Sequence, residues 1–214
     1  MVTGESICSG RSTLSFEGMA KEVRDFLLAS VEEPMLLRYG VGVVGVMRGP
    51  LERWKCPPLG WVKINVDVSV NIRDRRAVIG GVIQDGSGSW VFGYFWVIGR
   101  CSALVVELWA IYDAFRRAWE KSFRFLEIEF DCLEVVRMIL GKLEICMRHA
   151  LVAEIKTLMS RDWHLSIIHI HRECNGCADR MVALGRGQDL VLMEFEDPLV
   201  ELLDMLEEEA PSLF

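Results

Sequence analysis

Hydrophobic and polar residues alternate most clearly between Gly60 and Asp85, where the chain reads GWVKINVDVSVNIRDRRAVIGGVIQD. Four apolar residues at every second position alternate with polar ones, which is the period of a strand with one buried face. A polar, turn-like segment at 71–76 separates this strand from a second run rich in β-branched residues. The pattern predicts a long β-hairpin whose first strand carries a single acid, Asp67, on its polar face.

Downstream of the hairpin, strand-like and helix-like patterns follow one another. Turn residues at 85–89 precede a third strand, and Ser102 is a plausible N-cap for the next helix. The remaining predicted elements are strands at 90–98, 123–130 and 165–170, and helices at 102–121, 131–140, 149–160 and 175–184. The order β-β-β-α-β-α-α-β-α predicts an α/β fold with a five-stranded mixed sheet flanked by helices.

The two ends of the chain differ from this central part. Residues 1–53 lack consistent alternation apart from an amphipathic helix pattern from Phe16 to Leu27, and we interpret them as a poorly specified N-terminal extension. Two prolines before Gly60 mark the start of a domain that we place at 54–186. Residues 187–214 form an acidic tail. Its leucines predict a short amphipathic helix at 198–209, docked on the domain or on a partner.

Composition narrows the class of protein. The chain has 214 residues of which 51% are hydrophobic, so we expect a globular protein. No apolar run reaches the roughly 20 residues of a membrane helix and no secretory signal is visible. Seven scattered cysteines favour free thiols in a reducing compartment, the nucleus or cytoplasm, with an organelle left open.

Net charge is a poor guide to partners here. The chain carries a formal charge of −7, but nine of its acids lie from Asp189 onward, where there is no Lys or Arg. Residues 1–188 hold 24 basic and 22 acidic residues. A nearly neutral body neither requires nor excludes a nucleic-acid partner.

Four acids fall at positions where carboxylates are costly unless something positive binds them. Asp67 lies in the first strand, Glu107 in the first helix, Asp131 after the fourth strand and Asp179 in the last helix. The first and fourth strands are neighbours in a sheet of this order, so we expect the four acids to converge. Like charges at close range repel, and divalent cations with a preference for oxygen, Mg²⁺ or Mn²⁺, would neutralise them. A plain salt bridge from Asp67 to an arginine of the hairpin turn is the structural alternative.

Several motifs occur in a characteristic order from residue 54 to 185. They are WKCPPLGWVKINVD at Trp54–Asp67, GGVIQD at Gly80–Asp85, Cys101–Ser102, ELWA at Glu107–Ala110, EFD at Glu129–Asp131, and HIHRECNGCAD at His169–Asp179. With these motifs the chain resembles the plant ribonuclease H-like domains related to those of non-LTR retroelement reverse transcriptases. The resemblance implies the ribonuclease H-like fold, in which the first three strands form an antiparallel meander and strands four and five run parallel to the first.

The same resemblance implies an activity and its cofactors. We expect a divalent-metal-dependent endonuclease that hydrolyses the RNA strand of RNA–DNA hybrids. The catalytic residues, which also bind the metals, would be Asp67, Glu107, Asp131 and Asp179. They would hold two Mg²⁺ or Mn²⁺ ions, one to activate the attacking water and one to stabilise the leaving 3′ oxygen, with Asp67 bridging both. We expect a monomer with no organic cofactor and no membrane partner.

Contacts to the hybrid are less well specified by the resemblance. Asn65, Ser69, Ser102 and Arg172 are the candidates, and Ser102 at a helix N-terminus is placed to hold a phosphate. Recognition would rest on backbone geometry and 2′-hydroxyl groups rather than on sequence. For each candidate an ordinary capping, turn or surface role stays open.

Two departures from the family pattern favour an alternative reading. Val68 stands where the family usually has Gly, and Val106 where it usually has Ala. Either branched side chain would crowd an acid, which favours a degenerate, non-catalytic retroelement-derived domain that binds nucleic acid or protein. A zinc site is a less favoured alternative, formed by four soft ligands within nine residues: His169, His171, Cys174 and Cys177.

Overall fold

The computed structural model of the chain describes residues 44–47, 54–141, 150–189 and 191–209. The predicted helix at 16–27 lies outside these ranges. Across the described ranges, no helix combines the length and apolar character needed to cross a membrane. The five cysteines in this part of the chain form no disulfides.

Seven strands form one mixed sheet in the order β1-β6-β5-β2-β3-β4-β7. They are β1 (Val44–Met47), β2 (Val62–Val70), β3 (Arg76–Asp85), β4 (Trp90–Arg100), β5 (Phe125–Phe130), β6 (His164–His169) and β7 (Leu192–Phe195). Strands β2, β3 and β4 form the antiparallel meander, while β5 and β6 run parallel to β2. The predicted fold class is therefore confirmed.

The sheet has two strands more than the five predicted, one at each edge. β1 pairs in parallel with β6, and β7 pairs antiparallel with β4. Each is only four residues long. A strand of that length shows two positions per face, which is too few to establish a period of two against its surroundings.

The helices lie close to the predicted positions. They are α1 (Ala103–Glu120), α2 (Leu133–Ile139), α3 (Ala150–Met159), α4 (Gly176–Gly185) and α5 (Leu203–Glu209), with 3₁₀ turns at Arg172–Cys174 and Val200–Leu202. Ser102 caps α1 as predicted, because its hydroxyl accepts a hydrogen bond from the Val105 backbone N–H at 3.4 Å. This contact supplies one of the partners that the first turn of a helix lacks.

The strand β2 is buried on both faces, whereas its alternating pattern predicts one solvated face. Ile64 and Val66 are fully buried on one face, and Asn65 and Asp67 are only 3% exposed on the other. The reason is topological: β2 has three strands on either side and helices against the sheet. The polar residues of the pattern therefore face a packed interior rather than water.

Two adjacent glycines in β3 allow neighbouring groups to pack directly against the backbone of this strand. A Cβ atom on Gly80 would lie 2.7 Å from the Val182 backbone nitrogen of α4, and one on Gly81 would lie 2.3 Å from the Tyr94 ring. Both distances are too short for real atoms, so both positions require glycine. Gly80 pairs with Asp67 across the β2–β3 ladder. The helix α4 thus reaches the sheet directly beside that acid.

The acidic tail is part of the folded domain. Leu202 is fully buried in a cluster with Met181 and Val182 of α4, and Leu199 and Leu206 pack against the same cluster. The predicted amphipathic helix is present at 203–209 and docks on the domain, which was one of its two predicted positions. Its leucines cover the outer side of α4.

Candidate active site

A column of polar side chains runs along the parallel strands β2 and β5. In the register of this pair Lys63 lies beside Glu127 and Asn65 beside Glu129, and the ladder ends at Val66 and Phe130. Asp67 and Asp131 are the residues that directly follow this last pair. Side chains in register on parallel strands point to the same face. This polar column lies on the face that α4 covers, and its two ends differ in charge.

At one end of the polar column a buried lysine compensates two buried acids. Lys63 is fully buried, and its ammonium group lies 2.7 Å from Glu129 Oε1 and 3.2 Å from Glu127 Oε1. The same group donates to the Lys55 carbonyl oxygen and lies 4.9 Å from the centre of the Trp54 ring. These contacts replace the water that the charges lose on folding.

The middle of the polar column is a pair of buried amides. Asn65 Nδ2 donates to Glu129 at 2.8 Å and to Asn175 Oδ1 at 3.3 Å, while its Oδ1 accepts from the Trp54 indole at 2.9 Å. Asn65 is buried and its amide is engaged on both sides, while its predicted contact with nucleic acid stays a prediction. Its role is to hold the interior together.

The second amide, Asn175, joins the strand to the helix that carries Asp179. Its Nδ2 donates to the Val66 carbonyl oxygen at 2.8 Å, one residue before Asp67. The backbone carbonyl oxygen of Asn175 accepts a hydrogen bond from the Asp179 backbone N–H at 3.0 Å. Asn175 therefore fixes the first turn of α4 against β2, and the sequence reading missed it, as it missed Lys63. An amide four residues before an acid at a helix start was the available signal.

At the other end of the polar column Asp67 is buried and Asp131 is half-buried. Asp67 is 3% exposed, and its Oδ2 atom has no hydrogen-bond partner among the described residues. Burial is the main cause that raises the pKa of Asp67 to about 7, with further contributions from the charges of Asp131 and Asp179. The backbone N–H of Val68 and the charge of Arg172 oppose this shift.

Glu107 enters the same region from α1. Burial raises its pKa to about 8, and the charges of Asp131 and Asp67 add to the shift. Its Oε2 atom is buried and finds no partner within the described ranges. Burial likewise raises the pKa of Asp131, with Arg172 and His169 acting in the opposite direction and Asp179 adding to the rise.

Asp179 lies at the open side of this group. Its side chain is 47% exposed and forms ion pairs of 3.7 Å with Arg172 and with Arg186. Arg172, which is 67% exposed, thus contributes positive charge at the rim of the acidic region. It lowers the pKa of Asp67, Glu107 and Asp131, so it partly offsets their mutual repulsion.

Charges among the four acids contribute to the raised pKa values of Asp67, Glu107 and Asp131, but the acids do not form a closed cluster. Within 54–141, 150–189 and 191–209, no three His, Cys, Asp or Glu side chains converge closely enough to hold a metal ion as they stand. The donors are all carboxylate oxygens and two of these are buried without partners, which fits hard cations such as Mg²⁺. The assignment of the four acids as metal ligands stays a prediction.

The zinc alternative finds no support in the same residues. His169 Nε2 lies 3.1 Å from the Asp131 carbonyl oxygen, and Cys177 is buried in the cluster between α4 and the tail. These two side chains face different surroundings.

Of the two valines that depart from the family pattern, Val106 is fully buried and Val68 is half-buried. Val106 therefore packs in the core rather than projecting into solvent beside Glu107.

Two further candidates for contacts to the hybrid lie at the surface around the acids. Ser102 is exposed at the start of α1, and Ser69 is half-buried at the end of β2. Ser69 lies two residues beyond Asp67 on the same face of the strand. Both hydroxyl groups are accessible to a ligand that approaches the acids, and so is Arg172.

Comparisons with known proteins agree with this architecture. Residues 65–185 match the profile of the reverse transcriptase-like family. Over 143 residues the chain is 36% identical to an Arabidopsis thaliana protein that carries the name "putative ribonuclease H protein". The match covers 64% of this chain. The chain spans 23% of the length of that relative.

Solved structures show the same fold. Ribonuclease H1 of the archaeon Halobacterium salinarum superposes with a TM-score of 0.52 at 24% identity, covering 56% of this chain and 93% of that one. The LC11 ribonuclease H1 isolated from compost gives a TM-score of 0.51 at 24% identity, covering 59% and 95%. At this level of identity the similarity concerns the fold alone.

Proposed function

Since the chain belongs to the reverse transcriptase-like family and contains a ribonuclease H-like domain, we propose that it hydrolyses the RNA strand of RNA–DNA hybrids with divalent metal ions. The observation that carries the proposal is the end of the polar column at Asp67 and Asp131. We call it the uncompensated end, because among the described residues no buried lysine pairs with these acids as Lys63 pairs with Glu127 and Glu129. The pKa values of Asp67, Glu107 and Asp131 are raised there by burial and by neighbouring carboxylates, and Asp67 and Glu107 each bury an oxygen that has no partner in the described part of the chain.

Energetics support a role in metal binding for these acids. A buried carboxylate without a counter-charge is costly, and several together are more so. A fold that keeps such a group is less stable than one that replaces it with apolar residues, so the group is better explained by function than by stability. Asp67, Glu107, Asp131 and Asp179 would hold the ions. When bound, two such ions supply activation of the attacking water and stabilisation of the leaving 3′ oxygen.

The surrounding residues would prepare this site for the reaction. Asn175 ties the first turn of α4 to the Val66 carbonyl oxygen, so it would keep Asp179 within reach of Asp67. Burial of Asp67 by the strands on both sides limits its side-chain freedom, which suits a ligand that must not move. Ser102 and Ser69 would donate to backbone phosphates or to 2′-hydroxyl groups at the surface.

The proposal is tested with a labelled RNA–DNA hybrid and the full chain. Wild type should cleave the RNA strand in Mg²⁺ and not in EDTA, and Asp67→Asn should reduce the rate by at least about 10²–10³-fold, as expected for loss of a group that stabilises developing charge. Asp162→Asn, the same chemical change at an exposed turn, is the matched control and should keep full activity.

A different result would favour the non-catalytic alternative. If wild type binds the hybrid but leaves it intact in Mg²⁺ and in Mn²⁺, the chain is a binding domain that keeps its acids. If Asp67→Asn and Asp162→Asn cleave equally fast, the acidic region is not the catalytic site.

A further inference from the structure

A second site adjoins the acidic region at the tip of the β2–β3 hairpin. A pocket of about 480 Å³ lies between the hairpin turn at 69–74 and the segment 185–188 that follows α4. Buried Val78 and Val97 form its floor. None of the four predicted metal-binding acids lines it. The pocket is therefore distinct from the acidic region, although the two are close in the fold.

Positive charge dominates the wall of this pocket. Among the described residues, three arginines, Arg73, Arg76 and Arg186, line it together with a single acid, Asp74. The carboxylate of Asp74 already accepts a hydrogen bond from the Arg76 backbone N–H at 3.0 Å. A guanidinium group presents paired N–H donors in a planar fork, which matches the oxygens of a phosphate group. The chemistry of the wall thus favours a phosphate or phosphodiester.

The pocket is built from a turn with a fixed shape. The side-chain oxygen of Asn71 accepts a hydrogen bond from the Arg73 backbone N–H at 2.8 Å. The backbone carbonyl oxygen of Asn71 accepts one from the Arg75 backbone N–H, also at 2.8 Å. Arg75 takes a left-handed conformation with φ of 63°. Arg76 Nη2 donates to the Gln188 carbonyl oxygen at 2.7 Å and so joins the two walls. A rigid frame lowers the entropy lost when a ligand binds.

Two residues connect the pocket to the acidic region. Ser69 lines the pocket and lies two residues from Asp67 on the same strand face, roughly 6–7 Å along the strand. Arg186 lines the pocket and lies 3.7 Å from the Asp179 carboxylate. A nucleic-acid strand with one phosphate at the acids therefore passes the pocket within a short distance.

We propose that this pocket binds a backbone phosphate of the cleaved strand, next to the phosphate that reacts. The inference rests on the proposed function, because it takes its ligand from the hybrid. Arg73 provides the accessible guanidinium, Arg76 holds the two walls together, and Arg186 lies between the two sites. The pocket would set which phosphate reaches the acids, since a strand anchored here can slide no further.

The test compares two charge reversals in the same turn. Arg73→Glu changes the pocket wall, and Arg75→Glu makes the same change in charge at an exposed residue that does not line the pocket. Hybrid binding is measured by fluorescence anisotropy over a range of KCl concentrations, in an Asp67→Asn background to prevent cleavage. We expect Arg73→Glu to weaken binding about tenfold and to reduce the slope of log affinity against log salt by about 1. Arg75→Glu should cost no more than about threefold.

A second measurement locates the phosphate. Single neutral methylphosphonates are placed one at a time along the RNA strand of the hybrid. One position should weaken binding by the parent protein and have no further effect on Arg73→Glu, as expected when both changes remove one contact. Equal losses for the two charge reversals, or methylphosphonate effects that add fully at every position, would overturn the pocket while leaving hybrid cleavage by wild type intact. Absence of cleavage together with a retained position effect would instead reject the proposed activity and keep the pocket.

Discussion

The two ends of the polar column both carry acids of β2 and β5 or of the residue that follows β5, but the surroundings of these acids differ. Glu127 and Glu129 share the ammonium group of Lys63, which is itself fully buried. Asp67 and Asp131 directly follow this part of the ladder, and the positive charge that acts on both of them is Arg172, which lies at the surface. Asp67 is buried as deeply as Glu127 and Glu129, so burial by itself does not distinguish the two ends. The difference lies in the counter-charge.

Physical chemistry explains why one protein contains both arrangements. A buried ion pair with further hydrogen bonds approximately recovers the cost of its desolvation, so it tolerates burial. A group of carboxylates without a counter-charge does not recover this cost. Its pKa values are therefore raised, and the group favours binding of a proton or a cation. The first arrangement holds strands together, and the second is the one that we propose binds metal ions. The predictions below alter one end at a time.

The largest expected effect comes from removing the lysine of the compensated end. Lys63→Met leaves Glu127 and Glu129 buried without their cation, and loss of one partner of a buried ion pair costs about 3–5 kcal/mol. Urea denaturation monitored by tryptophan fluorescence measures the change in unfolding free energy. Arg137→Met, at an exposed position of α2, is the control and should change stability by less than about 0.5 kcal/mol. A similar small cost for both variants would show that Lys63 is not needed to compensate the glutamates.

The next effect concerns the amide that links the two ends. Asn175→Ala removes the side-chain donor to the Val66 carbonyl oxygen and one of the two acceptors of Asn65 Nδ2, at a cost of about 1–3 kcal/mol. Because the first turn of α4 is no longer tied to β2, we also expect a higher Mg²⁺ concentration for half-maximal hybrid cleavage. A merely structural role would lower stability and leave that concentration unchanged.

Stability of the metal-free protein should depend on pH through the uncompensated end. The pKa values of Asp67, about 7, and Glu107, about 8, lie above their unfolded values near 4. Between those values the folded state holds more protons than the unfolded state, so the free energy of unfolding falls as pH rises from about 4 to 8. In EDTA, Asp67→Asn should flatten this fall and be on the order of 1–2 kcal/mol more stable than wild type at pH 8.

Thermal melts in EDTA at pH 5, 6, 7 and 8 measure this dependence, with Asp162→Asn as the control that should follow wild type. Addition of millimolar Mg²⁺ at pH 8 should raise the melting temperature of wild type by mass action and have less effect on Asp67→Asn. A wild type whose stability rises over the same pH range would contradict the raised pKa values.

The smallest expected effect comes from the arginine at the rim. Arg172→Gln removes a charge that lowers the pKa of Asp67, Glu107 and Asp131, so the fall in stability with rising pH should become steeper. The side chain is mostly exposed, so the change should stay below about 1 kcal/mol and shrink in 0.5 M KCl. Arg137→Gln provides the matched control. An effect that does not depend on salt would indicate a packing role instead.

The sequence predicted the central part of the fold well and its edges poorly. Long strands such as β3 and a capped helix such as α1 repeat their pattern often enough to be recognised. β1 and β7 are too short to show a period, and their existence depends on β6 and β4 offering free edges. That the polar face of β2 is buried could not be predicted from its alternation, because it depends on the packing of α4 against that face of the sheet.

The candidate site was predicted through its acids rather than through their supports. Asp67, Glu107, Asp131 and Asp179 stand in recognisable motifs, and motifs name the groups that do chemistry. Lys63 and Asn175 act through contacts with residues distant in the chain, since Glu129 lies 66 residues from Lys63 and Asn65 lies 110 residues from Asn175. Such contacts follow from the register of β2 against β5 and from the approach of α4, which local pattern does not specify. The same applies to the pocket beside Ser69.

The paired glycines of β3 bear on how this domain loses activity during evolution. Gly80 lies opposite Asp67 in the ladder, and the backbone of α4 occupies the space that any side chain at Gly80 would need. One added methyl group would push α4, and with it Asp179, away from the sheet while every acid remained in place. A relative could therefore retain all four carboxylates and still be inactive through a single glycine-to-alanine change. Counting acids in an alignment is for that reason an incomplete criterion for activity, and the residue at the position of Gly80 should be inspected with them.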